Sequence, residues 1–354
     1  MTPELISSST RRAVLGMGHT GRSVARFWRE QGVPFVAMDT RADLSSNPDL
    51  KAELDGVDTH FGDLDPRLMN QIDLMIASPG IAMDSPAITL AQAHGVEVRG
   101  DIDLFVAEAK SPVIGITGSN GKSSVTTFVG QLLTACGKRV AVGGNLGVPA
   151  LELLNERPDV YVLELSSFQL ERAGDLNLAV AIVLNLSPDH LDRHQTMPLY
   201  HLAKHRIFAG AKSVVANYRD SLTQPVGKSD VPWVLWRDNE PDLNQLGLRE
   251  QEGELWLYHG FEPLCACSEI ALVGDHNIRN ALAALAVCHA LGIEYRDLVA
   301  GLKTLSGLAH RCEMILEHQH VRYVNDSKGT NVGASIAALE GLSKGKNVIL
   351  IAGG

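Results

Sequence analysis

The sequence predicts an α/β protein of more than one domain, built on parallel sheets. Strand-like and helix-like segments alternate along most of the chain, which is the pattern of βαβ units. Two of these units open with a glycine-rich turn between strand and helix, at residues 16–21 and 117–123. With 354 residues, the chain also exceeds the size of one ordinary domain, about 100 to 200 residues. We therefore expect several domains, each organised around its own sheet.

Residues 11–100 predict the first parallel sheet. The segments RRAVLGMG, VPFVAMDT and DLMIASPG indicate strands, and GRSVARFWREQG indicates the helix after the first of them. The segment DIDLFVAEAKSP indicates a helix that leads through residues 110–112 into the next unit. We place the first domain at residues 1–110.

Residues 111–309 predict a second, central domain. Its strands VIGITG, RVAVGG, DVYVLELSS and LAVAIVLNLSP are nearly continuous apolar runs, as expected of a parallel sheet covered on both faces. Four segments indicate helices, namely SSVTTFVGQLLTACG, MPLYHLAKHRIFAGA, NIRNALAALAVCHALG and YRDLVAGLKTLSG. Residues 213–270 are less regular and predict short alternating strands that carry three tryptophans.

Residues 310–354 predict the start of a third domain. RCEMILEHQHVRYVND indicates a pair of strands, NVGASIAALEGL a helix, and KNVILIAGG a further strand before a Gly-Gly turn. A βαβ start with a single crossover cannot close a sheet of its own. We therefore expect this third domain to be truncated.

Composition and charge exclude several classes of function. A net charge of -10 without a basic block argues against a nucleic-acid partner, because binding along a duplex needs clustered Lys and Arg. No apolar run approaches the ~20 residues that span a bilayer, and the N-terminus lacks the order of a signal peptide. The five cysteines show no metal-ligand spacing, so we expect reduced thiols. These observations favour a cytoplasmic protein.

The first glycine-rich turn has the spacing G-x-G-x-x-G. Gly16, Gly18 and Gly21 follow the first strand, where glycine lets the backbone approach a pyrophosphate at a helix N-terminus. Asp39 ends the next strand, where an acid can accept ribose hydroxyls, and Arg41 suits an additional anionic or uracil-like partner. A nucleotide-sugar such as a UDP-linked substrate is therefore at least as good an interpretation as a dinucleotide. A turn that binds no ligand is the remaining alternative. If a nucleotide does bind, Ser78, Pro79 and Gly80, at the end of a later strand, would border its crevice.

The second glycine-rich turn, TGSNGKSS at residues 117–124, predicts a phosphate-binding loop. Backbone N–H groups of such a turn point at phosphate oxygens, Lys122 adds a positive charge, and Ser123 offers its hydroxyl to Mg²⁺. The turn departs from G-x-x-x-x-G-K-[ST] because Ile116 occupies the first glycine position. The order of strand, glycine turn, Gly-Lys-Ser and helix nevertheless predicts a nucleotide site.

Three further features fall on the strands and helices of the same domain. Glu164 lies on an apolar strand, where a carboxylate is costly unless it is paired in a salt bridge or bound to Mg²⁺, and we prefer the metal. His190 lies in NLSPDHLDRH, which is either a solvated polar loop or the source of a second metal ligand. Composition alone makes Lys204 a surface lysine. Asn277 and Asn280 could read an adenine edge or simply cap their helix.

Taken in order, these motifs resemble the Mur ligases, relatives of folylpolyglutamate synthase. The resemblance covers essentially the whole chain and rests on VLGMGHTGRSVA, MDTR, SPGI, TGSNGKSS, GGNLG, LELSSFQLE, LNLSPDHLDRH, DHNIRNALAA, GLAHR and NDSKGTN. TGSNGKS marks the superfamily, and MDTR with DHLDRH and NDSKGTN points to the members that add D-glutamate. The resemblance implies three domains: a Rossmann-like UDP-binding domain, a central P-loop ATPase domain and a Rossmann-like C-terminal domain.

The resemblance also implies roles for individual residues. Around the UDP moiety it places Gly18, Thr20, Asp39, Thr40, Arg41, Ser78 and Gly80, with Asn145 near the diphosphate or sugar. Around ATP it places Gly118, Ser119, Asn120, Gly121, Lys122, Ser123, Ser124, Asn277, Asn280, Arg311 and Asp326. Around two Mg²⁺ ions it places Ser123, Glu164 and His190. It implies Lys204 as a further ligand in the form of a carbamate, because an ammonium beside Mg²⁺ would be repelled. Lys328 and Thr330 would lie in the reaction zone, Thr330 at the amino-acid substrate.

The implied reaction is ATP-dependent addition of D-glutamate to UDP-N-acetylmuramoyl-L-alanine through an acylphosphate, in peptidoglycan precursor synthesis. Lys122, Lys204, His190 and Lys328 would be its catalytic residues. We expect a monomer that uses ATP and Mg²⁺. Two alternatives remain: a folylpolyglutamate-type ligase, which should lack the crevice around Asp39-Thr40-Arg41, and a non-catalytic UDP-sugar-binding protein. A nicotinamide oxidoreductase would have no use for the second phosphate loop.

Overall fold

A computed structural model describes residues 11–227, 230–270, 272, 274–329, 331–342, 345 and 347–353. The chain forms three sheets that follow one another in sequence. No helix in the described ranges is long and apolar enough to cross a membrane.

The first sheet has five parallel strands in the order β3-β2-β1-β4-β5. The strands are β1 (Arg12–Leu15), β2 (Phe35–Asp39), β3 (Asp58–Phe61), β4 (Leu74–Ala77) and β5 (Glu97–Arg99). The helices are α1 (His19–Glu30), α2 (Pro48–Glu53), α3 (Pro66–Met69), α4 (Pro86–Ala93) and α5 (Asp101–Glu108). The prediction of a parallel sheet here is confirmed, and β3 and β5 are edge strands that the sequence pattern did not reveal.

The second sheet has nine strands in the order β14-β13-β12-β11-β10-β9-β6-β8-β7. Its strands are β6 (Val113–Thr117), β7 (Val140–Gly144), β8 (Val160–Glu164), β9 (Val180–Val183), β10 (Val214–Asn217), β11 (Trp233–Trp236), β12 (Gln245–Gln251), β13 (Glu254–His259) and β14 (Glu262–Ala266). Its helices are α6 (Lys122–Ala135), α7 (Ser167–Leu170), α8 (Leu191–His194), α9 (Met197–His205), α10 (Asp275–Ala290) and α11 (Tyr295–Leu302). The strands from β6 to β12 pair in parallel, whereas β12, β13 and β14 form an antiparallel extension. The tryptophan-rich segment therefore continues the central sheet.

The third sheet pairs β15 (Glu313–His318) with β16 (Val321–Asn325) in antiparallel register, and α12 (Val332–Leu342) follows. The strand predicted for KNVILIAGG is wrong for the described residues 347–353, which carry no strand. A strand is defined by its ladder with a neighbour. The apolar run instead lies largely in solvent, with Ile349 and Ile351 more than nine-tenths exposed.

Alternation of side chains along the strands divides the interior into clusters on opposite sheet faces. In β8, Val160 and Val162 pack with α6 and α10, whereas Tyr161 and Leu163 belong to a second cluster. That second cluster also contains residues of α1, β4 and α5. One face of the central sheet therefore shares a continuous apolar core with the first sheet, which fixes the two sheets against each other.

Candidate active site

The glycine turn at 118–121 connects β6 to α6 at the carboxyl edge of the central sheet. Gly121 has φ +79°, a left-handed conformation that favours glycine, and a Cβ there would lie 2.8 Å from Asn280 Oδ1. Among the described residues, no side chain caps the N-terminus of α6. The first N–H groups of this helix are thus open to an anion, and the helix dipole favours negative charge at the same place.

Lys122 is the first residue of α6, and its side chain folds back over the turn. Its Nζ donates to the carbonyl oxygens of Gly118 at 3.0 Å and Ser119 at 2.9 Å. Burial lowers the pKa of Lys122, and the carboxylates of Glu164 and Asp189 oppose that shift. The turn itself is anchored by Asn185, whose carbonyl and side-chain oxygens accept from the N–H groups of Ser119 and Asn120. The ammonium therefore sits directly over the turn where phosphate oxygens would bind.

Glu164 ends β8 and is 3% exposed. Its Oε1 accepts from Asn145 Nδ2 at 2.7 Å. Its Oε2 is buried and, within the described part of the chain, has no hydrogen-bond partner. A buried carboxylate oxygen with no donor is costly, which indicates that the site is built to receive a cation or a hydrogen-bond donor. Asn145, which the resemblance implied for the substrate, thus contacts the expected metal ligand.

Lys204 is not the surface lysine that composition suggested, because α9 places it in the interior at 1% exposed. Its Nζ donates to Thr117 Oγ1 at 3.3 Å and lies 4.9 Å from the centre of the Tyr200 ring. Burial lowers the pKa of Lys204 well below its ordinary range; the charge of Lys122 lowers it further, while Asp189 and Glu164 act in the opposite direction. Burial therefore favours the neutral form of this amine beside the phosphate loop.

His190 lies at the N-terminus of α8 with φ +51° and a side chain that is 48% exposed. Its Nε2 is 3.7 Å from Asp189 Oδ2, and its ring centre is 4.8 Å from that of Phe168. Across the residues that the structure describes, no three His, Cys, Asp or Glu side chains are grouped as a metal cage. The expected ligand set of Ser123, Glu164, His190 and Lys204 therefore depends on a hydroxyl and on a modified lysine. Ser123 Oγ accepts from Arg311 Nη2 at 3.2 Å.

Residues from distant parts of the chain line a cavity of about 380 Å³ beside the phosphate loop. Seven of the expected ATP-site residues contribute to it: Asn120, Gly121, Ser124, Asn277, Asn280, Arg311 and Asp326. Asn280 Nδ2 donates to Asn277 Oδ1 at 3.3 Å, and Asp326 Oδ1 accepts from the Cys312 N–H at 3.1 Å. The sequence analysis missed Asn185, Asn217 and Trp236, which also line the cavity. Asn185 and Asn217 each lie at a strand's carboxyl end, and that position was the available signal.

The first glycine-rich turn is closely packed around the end of β1. Gly16 has φ +92°, and a Cβ on Gly21 would lie 1.8 Å from the Gly16 carbonyl oxygen, so the helix can approach only with glycine there. Ser78 Oγ donates to the same carbonyl at 2.6 Å. Gly18 precedes α1 and Thr20 lies in its first turn. This turn therefore brings the Ser78 loop and the start of α1 together.

Asp39 is 1% exposed, and its carboxylate accepts four hydrogen bonds from the protein itself. Burial alone would raise the pKa of Asp39, but the hydrogen bonds from the Arg41 side chain and from the N–H groups of Met17 and Arg41 outweigh it and lower the pKa. The carboxylate thus holds the Arg41 side chain at the end of β2. The Arg41 side chain is 56% exposed, and Thr40 beside it is also exposed.

The resemblance placed two further residues, Lys328 and Thr330, in the reaction zone. Lys328 is exposed, and its backbone N–H donates to the His310 carbonyl at 3.1 Å. Thr330 lies outside the described residues.

Comparison with known proteins bears on both glycine turns. The pattern of the Mur ligase middle domain matches residues 116–288, and that of the Mur ligase MurD-like, N-terminal domain matches residues 10–100. The UDP-N-acetylmuramoylalanine–D-glutamate ligase of Pseudomonas syringae pv. syringae is 49% identical over 353 residues, covering 99% of this chain and 79% of the relative. The ligase of the same name from Acinetobacter baylyi is 46% identical over 356 residues, with 99% and 79% covered.

A solved structure supports the fold independently. The pseudomurein peptide ligase type C from Methanothermus fervidus superposes with a TM-score of 0.56 at 21% identity, covering 96% of this chain and 78% of that one. Likeness at this identity concerns the fold alone. The sequence relatives are far closer and span the chain from end to end. The chain therefore belongs to the Mur ligase family of ATP-dependent ligases, and within it to the UDP-N-acetylmuramoylalanine–D-glutamate ligases.

Proposed function

We propose that this chain adds D-glutamate to UDP-N-acetylmuramoyl-L-alanine at the expense of ATP, in the synthesis of peptidoglycan precursors. The observation that carries the proposal is the group formed by Lys122, the buried Glu164 and the buried Lys204 around an uncapped helix N-terminus. The proposed reaction consumes ATP, so its proposed location is the cytoplasm, and the proposed state is a monomer.

The proposed chemistry transfers the γ-phosphoryl group of ATP to the alanyl carboxylate, which forms an acylphosphate. The amine of D-glutamate then attacks the acyl carbon, phosphate leaves, and an amide, ADP and phosphate result. Such chemistry needs little covalent participation by side chains, so positioning and charge stabilisation dominate it. Lys122 and the N–H groups of α6 supply positive charge where the transferred group would lie.

The residues around Glu164 fit a role in holding Mg²⁺. The orphan Oε2 of Glu164 is the observation that supports this, together with the Ser123 hydroxyl in the first turn of α6. We infer that Ser123, Glu164, His190 and Lys204 would hold the metal. When bound, Mg²⁺ would neutralise charge on the phosphate oxygens and on the carboxylate that attacks the γ-phosphorus.

Lys204 would contribute only after carbamylation. A neutral amine attacks the carbon of CO₂, an N–C bond forms, and one proton is released, which leaves an anionic carbamate with two oxygens. Burial lowers the pKa of Lys204, which favours the neutral amine that this addition requires. The carbamate would carry a negative charge, whereas an unmodified, protonated Lys204 would place a second positive charge beside Lys122.

For substrate binding, we assign the cavity beside the phosphate loop to ATP. Asn277 and Asn280 would read the adenine edge, and Arg311 and Asp326 would reach the phosphates and ribose. The UDP moiety would lie across the first sheet, against Gly18, Thr20, Asp39, Thr40, Arg41, Ser78 and Gly80, with Asn145 towards the diphosphate or sugar. Lys328 and Thr330 would serve the incoming D-glutamate. The corresponding domains are 1–110, 111–309 and 310–354.

Calorimetric titration of UDP-N-acetylmuramoyl-L-alanine into the 354-residue chain tests the substrate. UDP-N-acetylmuramic acid and a folate serve as comparators. We expect saturable binding of the alanyl compound and no heat from the folate. A folded chain that binds ATP and ignores the UDP compound would contradict the proposal.

The variant Lys122→Ala tests the phosphate loop. It removes the charge over the turn, so we expect ATP affinity to fall at least about tenfold, by analogy with the loss of one charge-assisted contact. Binding of UDP-N-acetylmuramoyl-L-alanine should be unchanged. Lys138→Ala, an exposed lysine after α6, is the matched control and should leave both titrations as in the wild type. Unaltered ATP binding by Lys122→Ala would refute the assignment.

A further inference from the structure

Two arginines of the central sheet's unit grip the loop at residues 78–81 of the first sheet. Arg172 follows α7 and donates to the carbonyls of Ala77 at 3.0 Å, Ser78 at 2.9 Å and Ile81 at 2.6 Å. Arg193, in α8, donates to the Ile81 carbonyl at 2.8 Å and to the Pro79 carbonyl at 3.3 Å. We call Arg172 and Arg193 the arginine clamp. It joins segments that are more than 90 residues apart in the chain.

Glu171 locks the clamp. Its carboxylate accepts from Arg172 at 3.2 Å and from Arg193, and its other oxygen lies 3.8 Å from His194 Nδ1. The Arg172 side chain is 0% exposed, and that of Arg193 is 16% exposed. A buried guanidinium is stable only when its planar set of donors is satisfied, and here carbonyls and one carboxylate do so. The loop can therefore not shift without uncovering a buried charge.

The clamp also decides which way the loop's peptide groups face. In a trans peptide the C=O and N–H bonds point in opposite directions. Because the Pro79 carbonyl faces the arginines, the N–H of Gly80 faces away from them. Among the described residues this N–H has no hydrogen-bond partner, and a Cβ added at Gly80 would meet no atom within 4 Å. The loop thus offers a free backbone donor on an exposed residue.

The short helix α8, which carries Arg193, also connects the loop at residues 78–81 to the candidate active site at His190. Arg193 is three residues after His190, and the His194 ring packs between Phe168 and Tyr200, at 5.6 Å and 5.3 Å between ring centres. His194 Nε2 also lies 2.9 Å from Ser167 Oγ. One rigid turn therefore fixes the Gly80 loop and the His190 loop together.

We propose that Arg172 and Arg193 are positioning residues that aim the Gly80 N–H at the UDP-linked substrate and fix its loop relative to the His190 turn. The inference rests on the proposed function, since it names the device that orients the UDP-binding loop. The arginines themselves contact backbone carbonyls and not the substrate.

The test compares two ligands on the variant Arg193→Lys. A lysine keeps the charge but has a single nitrogen and no planar fork. It therefore cannot reproduce the contacts of Arg193 Nη2 together with that of Nη1, which faces the Gly80 carbonyl. We expect the Kd of UDP-N-acetylmuramoyl-L-alanine to rise about tenfold, which corresponds to 1.4 kcal/mol. The Kd of ATP should stay within about twofold, since the ATP cavity is lined by other residues. A purely structural role would not separate the two ligands.

Arg26→Lys is the matched control. Arg26 also crosses the junction between the same two units, through Glu152, but at a different place; within its own unit it pairs with Glu53 at 2.6 Å. It should leave both affinities unchanged. Arg172→Lys is the second clamp variant and should show the same selective loss. Cooperative thermal denaturation shows that a clamp variant is folded. One folded clamp variant is sufficient for the test.

The possible outcomes separate this inference from the proposed function. Equal weakening of both ligands, or no weakening of the UDP compound, would overturn the positioning role. A wild-type chain that does not bind the UDP compound would overturn the proposed function first. Hydrogen exchange supplies a second readout: the substrate should slow exchange of the Gly80 amide in the wild type, and unchanged exchange on saturation would contradict the donor role.

Discussion

Asp101 shows how a single buried carboxylate shapes stability at the junction of the two large sheets. Its Oδ2 accepts from Gln169 Nε2 at 3.3 Å, while Oδ1 is buried and, in the described ranges, unpartnered. Burial raises the pKa of Asp101 from 3.8 to about 6; the Gln169 hydrogen bond and Arg172 oppose the shift, and Asp103 adds to it. Ionisation above this pH therefore costs folding free energy.

The variant Asp101→Asn tests this cost. A carboxyl whose pKa is raised on folding loses stability as pH rises from about 4 through about 6, and the neutral amide does not titrate. Relative to wild type, we expect the variant to gain up to about 3 kcal/mol between pH 4 and pH 7. Urea denaturation at both pH values measures the difference.

Asp73→Asn is the opposite control. Asp73 is paired with Arg11, whose hydrogen bond lowers its pKa, so its stabilisation is present above the ordinary pKa and lost as pH falls. The variant Asp73→Asn should therefore be slightly less stable than wild type at neutral pH, and this difference in stability should disappear as the pH falls. A stability difference for Asp101→Asn that is constant with pH would show that folding does not raise the pKa of Asp101.

At the same scale, the sequence could predict the residues that belong to local patterns. Lys122 and Gly121 belong to one strand-turn-helix unit, which the motif alone predicted, and in it they form the start of α6. Arg172, Arg193, Asn217 and Trp236 carry no such signal, because their partners lie in other elements. The expected position of Asp39 at the ligand stays a prediction, and its pairing with Arg41 two residues later is a contact that the sequence pattern did not reveal.

At the scale of elements, the start of α6 depends on the backbone conformation of Gly121, the residue just before the helix. Gly121→Ala would place a methyl group 2.8 Å from Asn280 Oδ1 at a φ of +79°. We expect a loss of about 1 to 2 kcal/mol from the left-handed backbone alone. The displaced Asn280 side chain should in addition weaken ADP binding by at least about tenfold, measured by calorimetry.

Gly137→Ala separates the two effects. Gly137 follows α6 with nearly the same φ, +77°, but a Cβ there would meet nothing within 4 Å. It should show the stability loss and retain wild-type ADP affinity. Equal ADP affinity in both variants would mean that Asn280 does not contribute to nucleotide binding.

Most elements followed from periodicity, and the exceptions have physical reasons. Apolar strands such as β6, β8 and β9 are buried on both faces, so their continuous apolar sequence identifies them as strands. β3 and β5 are short edge strands with no fully buried residue, and their composition is that of a loop. The KNVILIAGG segment has strand composition, yet pairing with a neighbour, not composition, makes a strand.

At the scale of the whole molecule, the first two sheets share one apolar cluster. It joins Trp28 and Ile76 of the first sheet's unit to Leu163 and Leu170 of the central one, all nearly inaccessible to solvent. Separating the units would expose this surface, at about 25 cal/mol per Å² of apolar area. The two sheets should therefore unfold as one cooperative unit.

Hydrogen exchange at increasing guanidinium concentration measures this cooperativity. Peptides from β1 and from β6 should lose protection at the same midpoint. Peptides from β15 and β16, whose residues are mostly exposed, should lose protection earlier and serve as the internal comparison. Distinct midpoints for β1 and β6 would show that the shared cluster does not couple the sheets.

The strand order of the central sheet has a consequence for the protein's synthesis. β6, which ends at the phosphate loop, lies between β9 and β8, whereas β7 is at the sheet's edge. The last residue of β9 is made about 65 residues after the last residue of β6. At roughly 5 to 20 residues per second, the ribosome needs several seconds for that stretch. Until β9 has left the exit tunnel, the nascent phosphate loop lacks one of its flanking strands, and the apolar β6 is open to chaperones during that interval.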